Sequence, residues 1–235
     1  MRKLILLLLV LIGCNSKKNT EIKINSVSFS YSILKGLEPE NGVTRRDPSD
    51  VIKVGDTYYL WYTKTEISEI FGGYSGYNAS VWYASSKDGK IWEEKGEAIP
   101  RGDTGSWDAY SVFTPNILVA KGKYYLFYTG VKPTPGNQEG KFENNSETDI
   151  TAIGLTVSDS PDGPFVRVSS KPTLEISDSI DHFDSYRIDD ACMVYRNNKY
   201  YLYYKGRSRK YGKEGPRHTK LGVAIADKPY GPYTK

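Results

Sequence analysis

The chain has 235 residues, of which 38% are apolar and 26% charged, which is enough to bury a sizeable core and argues against wholesale disorder. Twenty tyrosines, 22 glycines and 12 prolines point to many short strands and turns and exclude a helical bundle. The formal net charge is +4; outside an apolar leader holding Arg2 and Lys3, 30 basic residues face 28 acidic ones, so no nucleic-acid partner is expected.

The leader comes first. Arg2 and Lys3 precede ten apolar residues, 4–13, a run too short to span a bilayer and suited to a signal peptide. Leu11, Ile12, Gly13 and Cys14 resemble a bacterial lipobox, which implies that Cys14 is lipidated and anchors the protein in the cell envelope. The expected organisation is a signal peptide over 1–13, a tether over 14–35 and one domain over 36–235. Cys192 lies in an apolar run, Ala191 to Val194, and is expected as a buried structural thiol. Two His and two Cys offer no metal-ligand spacing, and no metal or cofactor is expected.

The domain is built from repeats. Residues 47–63, 113–129 and 189–205 align without gaps. Each reads as an apolar strand, a two-residue turn and a Tyr-Tyr-Leu-aromatic-Tyr strand. A second unit follows each one, starting at Val81, Ile153 and Leu221. The repeat is about 70 residues with four strands, so the fold class is all-β and the architecture a β-propeller. Three blades are legible, fewer than the roughly four that closure needs. The chain therefore reads as part of a longer propeller; assembly with a second copy, as a homodimer, is the other route to closure. Long polar loops interrupt the blades at 64–80 and 132–149.

The first strand of each blade starts near the propeller axis, at Asp47, Phe113 and Asp189, with Asp50 and Asp190 close by. Carboxylates converging on a polar, aromatic-rich pocket suit glycoside hydrolysis, and turn capping is the bland alternative. Trp107, Tyr110 and Arg187 precede pocket-facing strands, where aromatics stack on sugar rings and Arg donates to hydroxyls. Arg46 neighbours Asp47. His182 is placed to reach the rim, and His218 falls in a basic loop.

Residues 42–49 (GVTRRDPS) with the strands that follow, residues 111–115 (SVFTP), Phe183-Asp184-Ser185 and Ile188-Asp189-Asp190 resemble the five-bladed propeller glycosidases of families 43 and 117, family 117 above all. The resemblance runs from Gly36 to Lys235. It implies an exo-acting, inverting hydrolase that removes 3,6-anhydro-L-galactose from neoagaro-oligosaccharides. Asp47 would be the general base, and Asp189, or its neighbour Asp190, the second acid that positions the sugar and tunes proton affinity. The general acid would fall in blades beyond Lys235. A family 43 arabinosidase or xylosidase is the alternative, and a non-catalytic glycan-binding lipoprotein is the alternative from another class. The partners implied are an oligosaccharide and, through the anchor only, a membrane.

Overall fold

Three antiparallel sheets follow one another along the chain. The computed structural model describes Tyr31 and residues 33–66, 79–133 and 149–235. The leader, Cys14, the tether to residue 30 and most of both long loops lie outside the described residues.

Blade one comprises β1 (Val43–Arg46), β2 (Ile52–Val54), β3 (Thr57–Glu66), β4 (Ser80–Ser86) and β5 (Trp92–Ile99). β1 and β2 are two halves of one inner strand, both paired to β3, and the sheet continues through β4 to β5. Blade two comprises β6 (Ser111–Ala120), β7 (Lys123–Pro133), β8 (Asp149–Ser158) and the short β9 (Val166–Arg167), paired in that order. Blade three comprises β10 (Arg187–Arg196), β11 (Lys199–Arg207) and β12 (Lys220–Ala226). A 3-10 segment, Arg209–His218, joins β11 to β12. The expected fourth strand of blade three is represented by one bridge, Thr234 to Ile225.

The predicted turns hold. Residues 55–56, 121–122 and 197–198 close the inner hairpins. Lys121, Gly122, Asn197 and Asn198 all have positive φ, as the tight hairpin turns whose twist matches the strands require.

The core lies between blades, which explains the apolar density of the Tyr-Tyr-Leu strands. Side chains alternate across a strand, and in blade two both faces are covered. Leu126 and Tyr128 on β7 face blade one, packing with Tyr59, Trp61, Val81 and Ile99. Phe127 between them faces blade three, packing with Ile188, Met193, Leu202 and Tyr204. Trp61, Leu126 and Phe127 are fully buried, each worth about 2 kcal/mol or more in removed apolar surface.

The same alternation corrects the expectation for Cys192. Its neighbours Ala191 and Met193 point into the core, so Cys192 points to the opposite face of blade three, where it is exposed. That face also exposes Tyr203 and Leu221. The matching residues of the earlier blades, Trp61 with Val81 and Phe127 with Ile153, are buried.

Candidate active site

Each inner strand carries a bulge at the same height. The register on blade two slips by one residue between the pairs Phe113–Thr129 and Asn116–Phe127. Blade three slips between Asp189–Lys205 and Cys192–Tyr203. On blade one Arg46 pairs with Thr63, and the Ser49 amide donates to the Trp61 carbonyl at 2.8 Å. The first bulged residue is Asp47, Thr114 or Asp190, with φ of 49°, 48° and 54°. Left-handed backbone costs a non-glycine residue about 1–2 kcal/mol, so three such residues at one structural position mark a feature that packing enforces. All three residues line one cleft.

The equivalence differs from the gap-free sequence alignment. Blade one has a second slip, between Ser49 and Ile52, where the pairing moves from Ser49–Trp61 to Ile52–Tyr59. One extra residue in blade one therefore shifts the correspondence. Asp47 matches Thr114 and Asp190, while Phe113 and Asp189 match Arg46.

Asp47, Asp50, Thr114, Asn116 and Asp190 line a cleft of about 280 Å³, together with Pro48, Ser49, Pro115 and Ala191. Its floor is tied by Asn116. The Asn116 Nδ2 donates to Asp50 Oδ2 at 3.1 Å, and Asn116 Oδ1 accepts from the Met193 amide at 2.9 Å. One side chain of blade two thus bonds blades one and three. Thr114 is held by the blade-one hydroxyl of Thr63, which accepts from the Thr114 amide at 2.9 Å, and by Thr129 at 2.6 Å.

The two neighbouring aspartates of blade three have different environments. Asp189 is 2% exposed and accepts from Arg187 Nε at 2.7 Å; Arg187 itself is buried. Lys205 Nζ stands 3.1 Å from Asp189 Oδ1 and also bonds Asp190 Oδ2. Asp190 opens onto the cleft. Burial, then the charge of Asp189, then that of Asp47, push the Asp190 carboxyl above the ordinary carboxylate range, with Lys205 opposing them. Burial also works against the Lys205 ammonium, but the two aspartates outweigh it and raise its proton affinity.

The remaining predicted residues separate. Arg46 Nε stands 3.3 Å from Asp47 Oδ2, in the site. Arg187 acts through Asp189, from within the core. Trp107 stacks on Tyr128 at 5.7 Å between ring centroids and packs into the blade-one/blade-two core. Tyr110 is exposed, its amide donating to the Val131 carbonyl at 3.2 Å. His182 lines a different, larger cavity of about 1290 Å³, with Tyr125, Leu174, Tyr233 and Lys235. His218 is exposed and stacks on Tyr211 at 3.9 Å. Among the described residues, no three His, Cys, Asp or Glu side chains are grouped to hold a metal ion.

Thr114, Asn116 and Lys205 belong to this cluster and had not been singled out. The signal for Lys205 was present in the aligned repeats, whose last column reads Thr63, Thr129, Lys205. Asn116 carries no comparable signal, because its two partners come from other blades.

Inner-strand bulges that aim carboxylates into a shared cleft, carried on successive propeller blades, define a glycosidase-type β-propeller. The chain belongs to glycosyl hydrolases family 43, whose family model matches residues 40–190. Among solved structures it is similar to Zg3597, a family 117 glycoside hydrolase of the marine bacterium Zobellia galactanivorans, with 31% identity, a TM-score of 0.70, and coverage of 88% of this chain and 60% of that one. The chain thus spans less than two thirds of that enzyme. It also resembles sucrose-6-phosphate hydrolase from Lactobacillus gasseri, with 15% identity and a TM-score of 0.58 over 81% of this chain and 33% of that one. Bombyx mori BmSUC1, a family 32 β-fructofuranosidase, gives 14% identity and a TM-score of 0.58 over 80% and 33%. These last two likenesses concern the fold alone. No curated protein sequence matches the chain.

Proposed function

We propose that the protein is an exo-acting, inverting glycoside hydrolase that removes 3,6-anhydro-L-galactose from agar-derived neoagaro-oligosaccharides. The observation that carries the reading is the pairing of Asp47 and Asp190, held in equivalent left-handed bulges and facing one cleft. The 31% identity to a family 117 hydrolase supports that family's chemistry over the wider family 43 range.

In this reading Asp47, as carboxylate, takes a proton from a water molecule. The water oxygen forms its bond to the anomeric carbon from the face opposite the leaving group. The glycosidic C–O bond breaks with its electron pair going to the leaving oxygen, which is protonated by a general acid. The resemblance assigns that acid to a blade beyond the third. An inverting pair stands about 6.5–9.5 Å apart so that water fits between base and acid. Asp190 is the second acidic residue, orienting the sugar through hydrogen bonds, and Asp189 holds the shell behind it. This reverses the weight given to the two at the level of sequence.

The test is incubation of the complete protein, with the blade that carries the acid, with neoagarobiose and neoagarotetraose and chromatography of the products. Release of 3,6-anhydro-L-galactose supports the reading. Cleavage of nitrophenyl arabinofuranoside or xyloside with none of neoagarobiose would favour the family 43 alternative, which the match over residues 40–190 motivates. Sugar binding without turnover of any of these would favour the glycan-binding reading. The apolar leader and Cys14 support a second proposal, that the protein is lipid-anchored in a bacterial envelope.

A further inference from the structure

The register places Thr63, Thr129 and Lys205 at one position of the three blades, each opposite the residue that precedes the bulge. In blades one and two that position needs only a hydroxyl. Thr63 Oγ1 accepts from the Thr114 amide, and Thr129 Oγ1 bonds Thr114 Oγ1. Blade three departs from the pattern. It puts an ammonium there, and its side chain is only 26% exposed. It also adds a buried counter-charge, Asp189, which is in turn held by buried Arg187 at 2.7 Å. A mostly buried cation is costly unless it is paired. The fold does not require it, since two of three blades do without. The departure occurs in the blade whose bulge carries a carboxylate into the cleft.

We propose that Lys205 is a positioning residue for Asp190: the chain Arg187–Asp189–Lys205 holds the Asp190 carboxyl toward the cleft it shares with Asp47. The role assigned to Asp190 rests on the hydrolase reading; the contact does not. Among the described residues, the charged groups around Asp190 are Asp189 beside it on β10, Lys205 from β11, Asp47 from blade one, which is itself paired with Arg46, and Asp50, which lines the same cleft and is bonded by Asn116. Three of these interactions can be ranked by sign. Asp189 and Asp47 disfavour the carboxylate, and Lys205 favours it. Lys205 also spans both aspartates, so it screens Asp190 from the neighbour that acts on it most. Removing its charge takes away the attraction and the screen together.

The experiment uses the full chain with 13C-labelled aspartate, the Asp190 signal being assigned through Asp190→Asn. Lys205→Thr installs the side chain that blades one and two carry at this position, and Lys205→Arg keeps the charge. The Asp190 midpoint is expected to rise by about 1–3 pH units in Lys205→Thr, the range a close opposite charge commands. It is expected to stay near the wild-type value in Lys205→Arg. An Asp190 midpoint unmoved in a folded Lys205→Thr overturns the proposal, whatever the activity. In the hydrolysis of neoagarobiose the limb of the pH–rate profile governed by Asp190 should move with the midpoint. A moved midpoint, together with a complete protein that hydrolyses no sugar, upholds the positioning of Asp190 and overturns the hydrolase reading instead. If Lys205→Thr fails to fold, Lys205→Gln carries the same titration, with the same expected rise.

Discussion

Asp108 and Asp184, one blade apart, make the same bond to the same structural partner. Asp108 accepts from the Tyr128 hydroxyl at 2.9 Å, and Asp184 accepts from the Tyr204 hydroxyl at 2.9 Å. Both carboxylates are 1% exposed. Each is preceded by an aromatic that stacks on that tyrosine: Trp107 on Tyr128 at 5.7 Å, Phe183 on Tyr204 at 5.8 Å. A basic side chain completes each set, Arg167 on Asp108 at 2.9 Å and Lys235 on Asp184 at 2.6 Å. The aromatic-Asp pair in each linker between blades therefore latches the linker onto the sheet. In blade one the matching tyrosine, Tyr62, donates instead to Glu94 of β5 at 2.6 Å, and Arg45 of β1 and Lys64 of β3 pair with that glutamate, so the cluster ties strands of one sheet together.

Breaking a latch is expected to be costly. Asp108→Ala leaves the buried Tyr128 hydroxyl without its acceptor and the Arg167 guanidinium without its counter-charge, with only the Pro100 carbonyl still accepting from it at 2.6 Å, and should destabilise by about 3 kcal/mol. Urea unfolding of the two proteins side by side measures it, and a loss below about 1 kcal/mol would contradict the latch.

The stacking leaves no room at the glycines beneath it. A Cβ on Gly130 would stand 2.2 Å from Trp107 Cζ3 and 2.7 Å from Asp108 Cβ. Gly130→Ala is therefore expected to cost about 1–3 kcal/mol by overpacking, although alanine is otherwise acceptable in a strand. Combining it with Trp107→Leu should recover part of that loss, which a double-mutant cycle would show.

Glu94 should govern part of the acid stability. Burial raises its proton affinity, but hydrogen bonds from Arg45, Lys64 and Tyr62 prevail and hold its carboxyl at about 2, below the ordinary 4.5. A carboxyl depressed in the folded state stabilises fully above the unfolded value and loses that contribution as pH falls through the folded one. The advantage of wild type over Glu94→Gln should thus be constant near neutrality and shrink from about pH 4.5 toward pH 2. Thermal midpoints recorded across that window check the sign.

Asp47→Asn should lower the release of 3,6-anhydro-L-galactose by about 10³-fold, the contribution of a general base. Its circular dichroism and thermal midpoint should remain close to wild type, because the bulge owes its conformation to backbone pairing. An active Asp47→Asn protein would remove Asp47 from that role.

Metabolic labelling with a radioactive fatty acid tests the anchor. Expressed in a bacterium, the full chain should take up label and partition with membranes, and Cys14→Ala should do neither.

Much of this molecule was legible from its amino acids. The repeats at Tyr58-Tyr59, Tyr124-Tyr125 and Tyr200-Tyr201, the turns between paired strands and the spacing of the units follow from local chemistry: aromatic strand formers, turn residues and an alternation of period two. Asp47 was legible too, through the motif around it. The latches were partly legible, since Trp107-Asp108 and Phe183-Asp184 repeat at the blade spacing. The choice between Asp189 and Asp190 was not. Adjacent strand residues face opposite sides, so a single slip in register exchanges which of the two reaches the cleft and which is buried against Arg187. Cys192 lies on the face of blade three that no described blade covers, which its apolar neighbours in sequence do not reveal. The extra residue between Ser49 and Ile52 shows only when strands pair, and so does the convergence of Asn116, Asp50 and Met193 from three blades. Sequence alone thus determined the repeating unit, because its signals are local. The tertiary structure decided which acids meet, because that depends on register between strands far apart in the chain.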